Sequence, residues 1–414
     1  MRCKALLGVV SVALAAVAAV AQPAPPEPPA ATPTPTPAPA GAAGSRTVRI
    51  AAAPAESSPD ISEPLPMNPI EAIQPAVAGQ EKGTKGEFVL APIPISDPAV
   101  GSGLGVTAVY TFAKDDPNDA SPPPTLGAGG FYTSNDSWSG AAMAKLYLKQ
   151  DRYRLAFGGA VGSLNYDLFA AGADRESVPI SQEFEAVVGQ FLVGLGRRWY
   201  AGLRVTWAAM DVSRQDDGTS PIPVPPRDLD STLVEVGLKV ERDSRDNVFY
   251  PTAGSRLQLF ANHNDTGFGS DYTYTKTWLI YSEYFSLSDQ LVLAVEGAGC
   301  YATDGGPFYS LCMFGSKNLL RGYTVGQYLD RWTLATQAEA RWRFAERWIA
   351  TGFAGVGVVE PARTIADDGT DSLPAAGVGL HWIAAPDNLI TVRAEYAIGE
   401  GGAHGFYVAI GQAF

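Results

Sequence analysis

Three histidines, His263, His381 and His404, are the whole supply of imidazole in the chain. None has Ser, Cys or Asp in an arrangement that suggests a nucleophile and its base, and loop or strand-end positions account for all three. Asp116 to Asp119, Asp216-Asp217 and Asp367-Asp368 carry enough carboxylate to attract calcium. They lack an ordered run of oxygen ligands and read as solvated loops. Gly101-x-Gly103-x-Gly105 resembles part of a dinucleotide loop, but no strand-turn-helix context follows, so packing at a barrel seam explains it better. Arg242, Asp243, Arg245 and Asp246 alternate in sign and fit a turn braced by mutual pairing. The residues therefore predict no enzyme, no cofactor and no metal, and a secreted hydrolase lacks a credible nucleophile.

The 414 residues are 46% hydrophobic and 18% charged, with net charge −13 and pI ≈ 4.8, which argues against nucleic acid as a partner. Arg2 and Lys4 precede an apolar run from Ala5 to Val20, and Ala19-Val20-Ala21 offers a cleavage site, so 1–21 reads as a secretory signal. No later stretch of about 18 apolar residues exists; a membrane could be crossed only by strands. Residues 22–85 read as a Pro/Ala-rich, disordered periplasmic spacer, with 14 of the 32 prolines falling between Gln22 and Pro69. Residues 68–80 have room for one helical turn or two, limited by Pro75. Cys3 lies in the signal, so export leaves Cys300 and Cys312 in an oxidising compartment. They predict a disulfide closing a short loop, a pair of buried thiols being the alternative.

From about Glu87 onward a period of two takes over. Leu334, Thr336, Ala338, Ala340, Trp342 and Phe344 share one parity, and Gln337, Glu339, Arg341 and Arg343 the other. Val234, Val236, Leu238 and Val240 oppose Glu235, Lys239 and Glu241 in the same way, as do Val392, Ala394 and Tyr396 against Arg393 and Glu395. Strands of roughly 10 residues, with short and long connections alternating, predict a transmembrane antiparallel barrel whose polar face lines a lumen. The fold class is all-β, and the barrel domain is 86–414.

Strand starts near 87, 102, 125, 139, 152, 184, 198, 232, 254, 272, 290, 333, 348, 375, 388 and 406 make sixteen. The outer loops are then 171–183, 213–231, 262–271, 303–332 and 360–373. Trp199, Trp207, Tyr272, Tyr274, Trp278, Trp342, Trp348 and Trp382 fit interfacial girdles. Phe406, Val408, Ile410 and Phe414 share a parity, so an apolar strand closes on a terminal Phe that resembles an outer-membrane assembly signal.

Two segments are similar to a known family. Arg242-Asp243-Ser244-Arg245-Asp246-Asn247-Val248-Phe249-Tyr250-Pro251-Thr252-Ala253-Gly254 resembles a periplasmic turn of the bacterial surface antigen family, the BamA/TamA-type assembly barrels. Leu319-Leu320-Arg321-Gly322-Tyr323, followed by Gln337-Ala338-Glu339-Ala340-Arg341, resembles its lumen-inserted sixth loop and the next strand. Ala91-Pro92-Ile93-Pro94-Ile95 with Gly101, Gly103 and Gly105 fits its first hairpin. The resemblance implies a sixteen-strand barrel in the cell outer membrane, with Arg321 of the motif Leu320, Arg321, Gly322, Tyr323 paired to lumen carboxylates. Phe353-Ala354-Gly355-Val356-Gly357 has Gly355 where the family has Asp, leaving Glu339 or Glu395 as partners; Gly355→Asp is expected to tighten the pairing. The Pro-rich tract cannot fold into the POTRA domains of assembly members.

These features predict a role in membrane-protein insertion, secretion or envelope maintenance, through a lumen-inserted loop and a weak seam between first and last strands. The glycines of 101–105 and Gly399, Gly401, Gly402 and Gly405 suit a loose seam. The alternative is a passive channel or structural barrel. Expected partners are outer-membrane lipids and lipopolysaccharide, the outer-membrane assembly machinery during insertion, and a client polypeptide.

Overall fold

A computed structural model describes residues 87–414, apart from 98, 114–120, 170–176, 217–228, 248–249, 315–319, 325–326, 360–370 and 386–388. The signal, the spacer, the 68–80 segment, Asp116 to Asp119 and Asp367-Asp368 lie outside the described residues. Hairpins lead the chain through β1 (Glu87–Asp97), β2 (Gly101–Thr111), β3 (Thr125–Thr133), β4 (Trp138–Leu148), β5 (Tyr153–Phe169) and β6 (Ser177–Gly196). β7 (Trp199–Arg214), β8 (Asp230–Asp243), β9 (Gly254–Asn264), β10 (Tyr274–Ser286) and β11 (Leu291–Ala302) continue the meander. The next loop carries a small ribbon of β12 (Cys312–Phe314) and β13 (Tyr328–Asp330). β14 (Trp332–Ala345), β15 (Trp348–Val359), β16 (Asp371–Ala385), β17 (Ile390–Gly399) and β18 (His404–Ile410) complete the circuit, and β18 closes on β1. Sixteen strands, all but β12 and β13, thus form one closed antiparallel barrel.

Its exposed face is its apolar face. Along β14, Leu334, Trp342 and Phe344 point outward while Gln337, Glu339 and Arg341 are buried inside. A soluble sandwich would show the reverse, so the outward band is the lipid-facing surface of a transmembrane barrel. On β5 that band runs Tyr153, Leu155, Phe157, Gly159, Val161, and on β6 Val187, Gly189, Phe191, Val193, Leu195. Each spans nine residues, the length a tilted strand needs to cross a bilayer's hydrocarbon.

Beyond the band the pattern inverts. Leu164, Tyr166, Leu168, Val178, Ile180, Phe184, Met210 and Val212 turn inward, and Asn165, Asp167, Glu183 and Asp211 turn outward. This is why β6 begins at Ser177, where the alternation predicts a loop through 183. The strand continues past the membrane with its polar residues on the outside, and a dry cluster, joined by Tyr309 and Met313, fills the interior there. The same cluster takes Tyr272 and Tyr274, and Trp278 packs against a neighbouring one, so these three aromatics are interior groups rather than parts of a girdle. Trp199, Trp342, Trp348 and Trp382 are exposed near the short-turn end as expected.

Two further placements follow from local geometry. A Cβ on Gly103 would lie 2.1 Å from Tyr132 O, so the 101–105 glycines allow β2 to approach β3, one strand in from the seam. Gly401 and Gly402 have φ of 64° and 82° in the β17–β18 turn, so they serve that turn.

Candidate functional site

The loop between β11 and β14 enters the barrel from the long-loop end. Phe314, Leu320 and Tyr323 carry its apolar weight, packing against Ile280, Ala298, Ala335, Val359, Leu373 and Ala375 on the inner wall. The wall is smooth where they lie: a Cβ on Gly357 would stand 2.0 Å from Phe314, and one on Gly399 2.7 Å from Tyr323. Gly322 has φ +116°, a backbone state that side chains resist, and its N–H donates to Tyr407 Oη at 3.0 Å. Tyr323 Oη donates to Pro374 O at 2.6 Å and accepts from the Glu400 N–H at 3.1 Å.

That backbone delivers Arg321, 1% exposed, beside Glu339, seven residues or roughly 20 Å along β14 from its start. Its guanidinium reaches Glu339 Oε2 at 2.6 Å, Glu395 Oε1 at 2.8 Å and Gln337 Oε1 at 3.4 Å. Two carboxylates on strands β14 and β17 therefore share one planar fork, the arrangement in which Arg outperforms Lys. The Phe353 ring lies 3.5 Å from the guanidinium carbon, covering its face.

The carboxylates have further partners. Arg341 Nε donates to Glu339 Oε1 at 2.7 Å; His381 Nε2 lies 3.0 Å from Glu395, which also takes Arg393. His381 is thus an interior member of the cluster rather than a strand-end residue, and its parity between Leu380 and Trp382 is the signal in the sequence that marks it. His263, near Asp265 at 3.6 Å, and His404 sit at the long-loop end.

The end of the chain departs from the parity reading. β18 stops at Ile410, Gly411 turns with φ +83°, and Phe414 leaves the lipid-facing row. Its ring lies 5.8 Å from Arg321 and 5.5 Å from Arg341, and its backbone oxygen accepts from Arg341 at 2.8 Å.

The expected Gly355→Asp gain meets a steric fact. A Cβ there would stand 2.4 Å from Thr336 O and 2.6 Å from Leu320 Cδ1, so Leu320 occupies the space an Asp side chain would need.

The β8–β9 turn is a second organised feature. Arg245 pairs with Asp243 through Nη2 at 2.6 Å, and Asp246 accepts from the N–H groups of Thr252 and Ala253 at 2.9 and 3.1 Å. Gly254 needs its φ of +94°, and a Cβ would lie 2.3 Å from Ser244 O. Pro251 is buried beside Tyr250, which packs with Val292, Ile349 and Ile383 at the short-turn mouth of the lumen. Burial, working against nearby Arg341 and Arg343, raises the Tyr250 pKa, so its phenol stays neutral there.

Cys300 of β11 and Cys312 of the loop form a disulfide with Cα atoms 5.7 Å apart, clipping the loop's first arm to the wall. In the chain-entropy model a closed loop of this size is worth about 3 kcal/mol. Reduction is expected to lower the unfolding midpoint while leaving strand content unchanged; an unmoved midpoint would show that the clip adds nothing.

Among the described residues no group of three or more His, Cys, Asp or Glu is placed to hold a metal. Asp216 instead pairs with Arg214 at 2.7 Å.

The barrel is similar to the crystal structure of BamA from Haemophilus ducreyi lacking POTRA domains 1–3, with TM-score 0.55 and 15% identity over 80% of this chain and 71% of that one. CdiB from Acinetobacter baumannii gives 0.52 and 11%, over 80% and 60%. CdiB from Escherichia coli gives 0.54 and 10%, over 80% and 63%, so this chain spans less than two thirds of either CdiB. No curated protein matches. The Omp85 superfamily domain model, however, matches residues 149–414, covering the loop motif, its carboxylate partners and the braced turn, and the chain accordingly belongs to the Omp85 superfamily of outer-membrane β-barrels.

Proposed function

We propose that this barrel works in membrane-protein insertion, secretion or envelope maintenance, holding the Leu320 to Tyr323 segment of its β11–β14 loop in the lumen as a latch and using the β1–β18 junction as a weak seam. The observation that carries the reading is the shared fork of Arg321 between Glu339 and Glu395, a buried ionic site that costs desolvation and that wall packing alone does not require. The seam adds support: among the described residues β1 and β18 register at one pair, Ser96 with Val408, whereas β1 pairs with β2 from Glu87 to Asp97. An edge so lightly paired can template a client strand. The dry cluster drawn from β2 to β8 and Tyr274 of β10 weighs against a passive channel, since side chains occupy that part of the lumen.

The test reconstitutes the full chain in liposomes and follows folding of an unfolded outer-membrane barrel by its gel mobility. Wild type should accelerate folding several-fold, and Ser96→Cys with Val408→Cys should abolish the gain when oxidised and restore it when reduced. Equal folding with and without the protein, alongside steady single-channel conductance, would establish the channel reading instead.

A further inference from the structure

Along β4 to β8 the two ends of the barrel carry opposite outward charge. Just beyond the lipid band at the long-loop end, Glu183, Asp211 and Asp230 stand in one cross-strand row on β6, β7 and β8, all outward and exposed. At the short-turn end of neighbouring strands the outward charges are Lys149, Arg152, Arg197, Arg198 and Arg242. The β4–β5 tip lies against the end of β6, where the Gly194 N–H donates to Arg152 O at 2.8 Å, and Trp199 registers with Arg242, so the tips of β4 to β8 form one patch.

We propose that this patch is a docking surface for the phosphate headgroups of anionic phospholipids. Among the described residues none of its five cations is held in an ion pair. The carboxylate of the same turn, Asp151, is turned away: Arg154 Nε and Nη2 donate to it at 2.7 and 2.5 Å and Tyr200 Oη at 2.6 Å. Lys149 and Arg152 flank the Tyr153 ring at 5.6 and 5.8 Å, and Tyr153 stacks on Phe191 of the lipid band. Arg242 lies 6.0 Å from the Trp199 ring. Exposed Leu148, Leu195 and Leu203 stand beside these groups on the same outward face. Cations and amphipathic rings at the margin of an apolar band sit where headgroups sit, so lipid is the phase next to them.

The turn chemistry points the same way. Arg197 and Arg198 form a two-residue hairpin turn with φ of 53° and 64°, a conformation for which Asn-Gly is preferred. Two arginines held there against backbone preference present two guanidiniums at the tip, both fully outside the ladder. The acidic row on the opposite rim would repel the same headgroups, so the preference is confined to one leaflet. Residues 114–120, whose sequence includes Asp115, Asp116 and Asp119, lie outside the described residues, and the surface is limited to the β4–β8 tips.

The experiment equilibrates the full chain, in a neutral detergent, with equimolar phosphatidylglycerol and phosphatidylcholine, washes it, and quantifies retained phospholipid by mass spectrometry. Wild type should retain phosphatidylglycerol several-fold over phosphatidylcholine, with the preference shrinking as salt rises. Arg197→Asn with Arg198→Gly relieves the turn and should keep heat-modifiable mobility while cutting the preference. Adding Lys149→Gln and Arg152→Gln should bring the ratio close to one. A control pair on the other rim, Glu183→Gln with Asp211→Asn, removes a repulsion and should not lower the wild-type ratio. Equal retention of both lipids by wild type would overturn the proposal and leave an acidic protein partner as the remaining fit. So would a preference that survives in the folded quadruple variant.

Discussion

Arg321→Ala is expected to free the lumen loop while leaving the barrel standing. In the variant Glu339 keeps Arg341, and Glu395 keeps Arg393 and His381, so neither carboxylate is stranded. What disappears is the tie between the loop and two strands, together with the Phe353 face contact. Removing one partner of a buried pair costs about 3–5 kcal/mol, and the remaining arginines place this case near the lower figure. About 3 kcal/mol is on the order of a 100-fold change in an opening equilibrium. Amide exchange at Gly322, whose N–H bonds Tyr407 in the closed loop, should speed up by that order, with circular dichroism unchanged because the strand ladder is untouched. Arg321→Lys should recover only part of the protection, since an ammonium cannot fork between two carboxylates. Unchanged exchange at Gly322 in both variants would mean that the apolar seat of Leu320 and Tyr323 alone holds the loop.

Much of this arrangement is written in short-range patterns. Alternation along Thr333 to Phe344 separates the two faces of β14, and fourteen of the sixteen barrel strands begin within two residues of the starts expected from it. The pattern does not say where the bilayer ends, which is why residues 177–183 read as a loop: Ser177 and Ser181 face out and Val178 and Ile180 face in, the opposite sense to the band below. Tyr272 and Tyr274 fail for the same reason, because a strand-end aromatic can serve either an interface or a dry interior. Charge partners across the barrel are harder still. Glu339 lies on a legible parity, but the stacking of Phe353 on Arg321 and the return of Phe414 beneath it depend on how a loop and a turned tail meet far strands. No local period encodes that.

Gly355 separates the electrostatic reading of the loop from the steric one. By charge alone, Gly355→Asp should add a third carboxylate to Arg321 and hold the loop more firmly. Space decides otherwise. Any Cβ at this position would come within 2.4 Å of Thr336 O, which belongs to the wall, and 2.6 Å of Leu320, which belongs to the loop. Overpacking of this kind costs about 1–3 kcal/mol. The new carboxylate would add its own desolvation beside a guanidinium that Glu339 and Glu395 already satisfy. A further charge-assisted bond returns about 1.5–3 kcal/mol, too little to offset both. Gly355→Asp is therefore expected to raise exchange at Gly322 rather than lower it. Gly355→Ala should do much of the same, because the Cβ is the common cause. Leu320→Ala with Gly355→Asp vacates the contested space and should regain part of the lost protection, which a purely structural defect in β15 would not allow. If Gly355→Asp alone slows exchange below wild type, the wall yields more readily than these distances imply and charge, not packing, sets the strength of the latch.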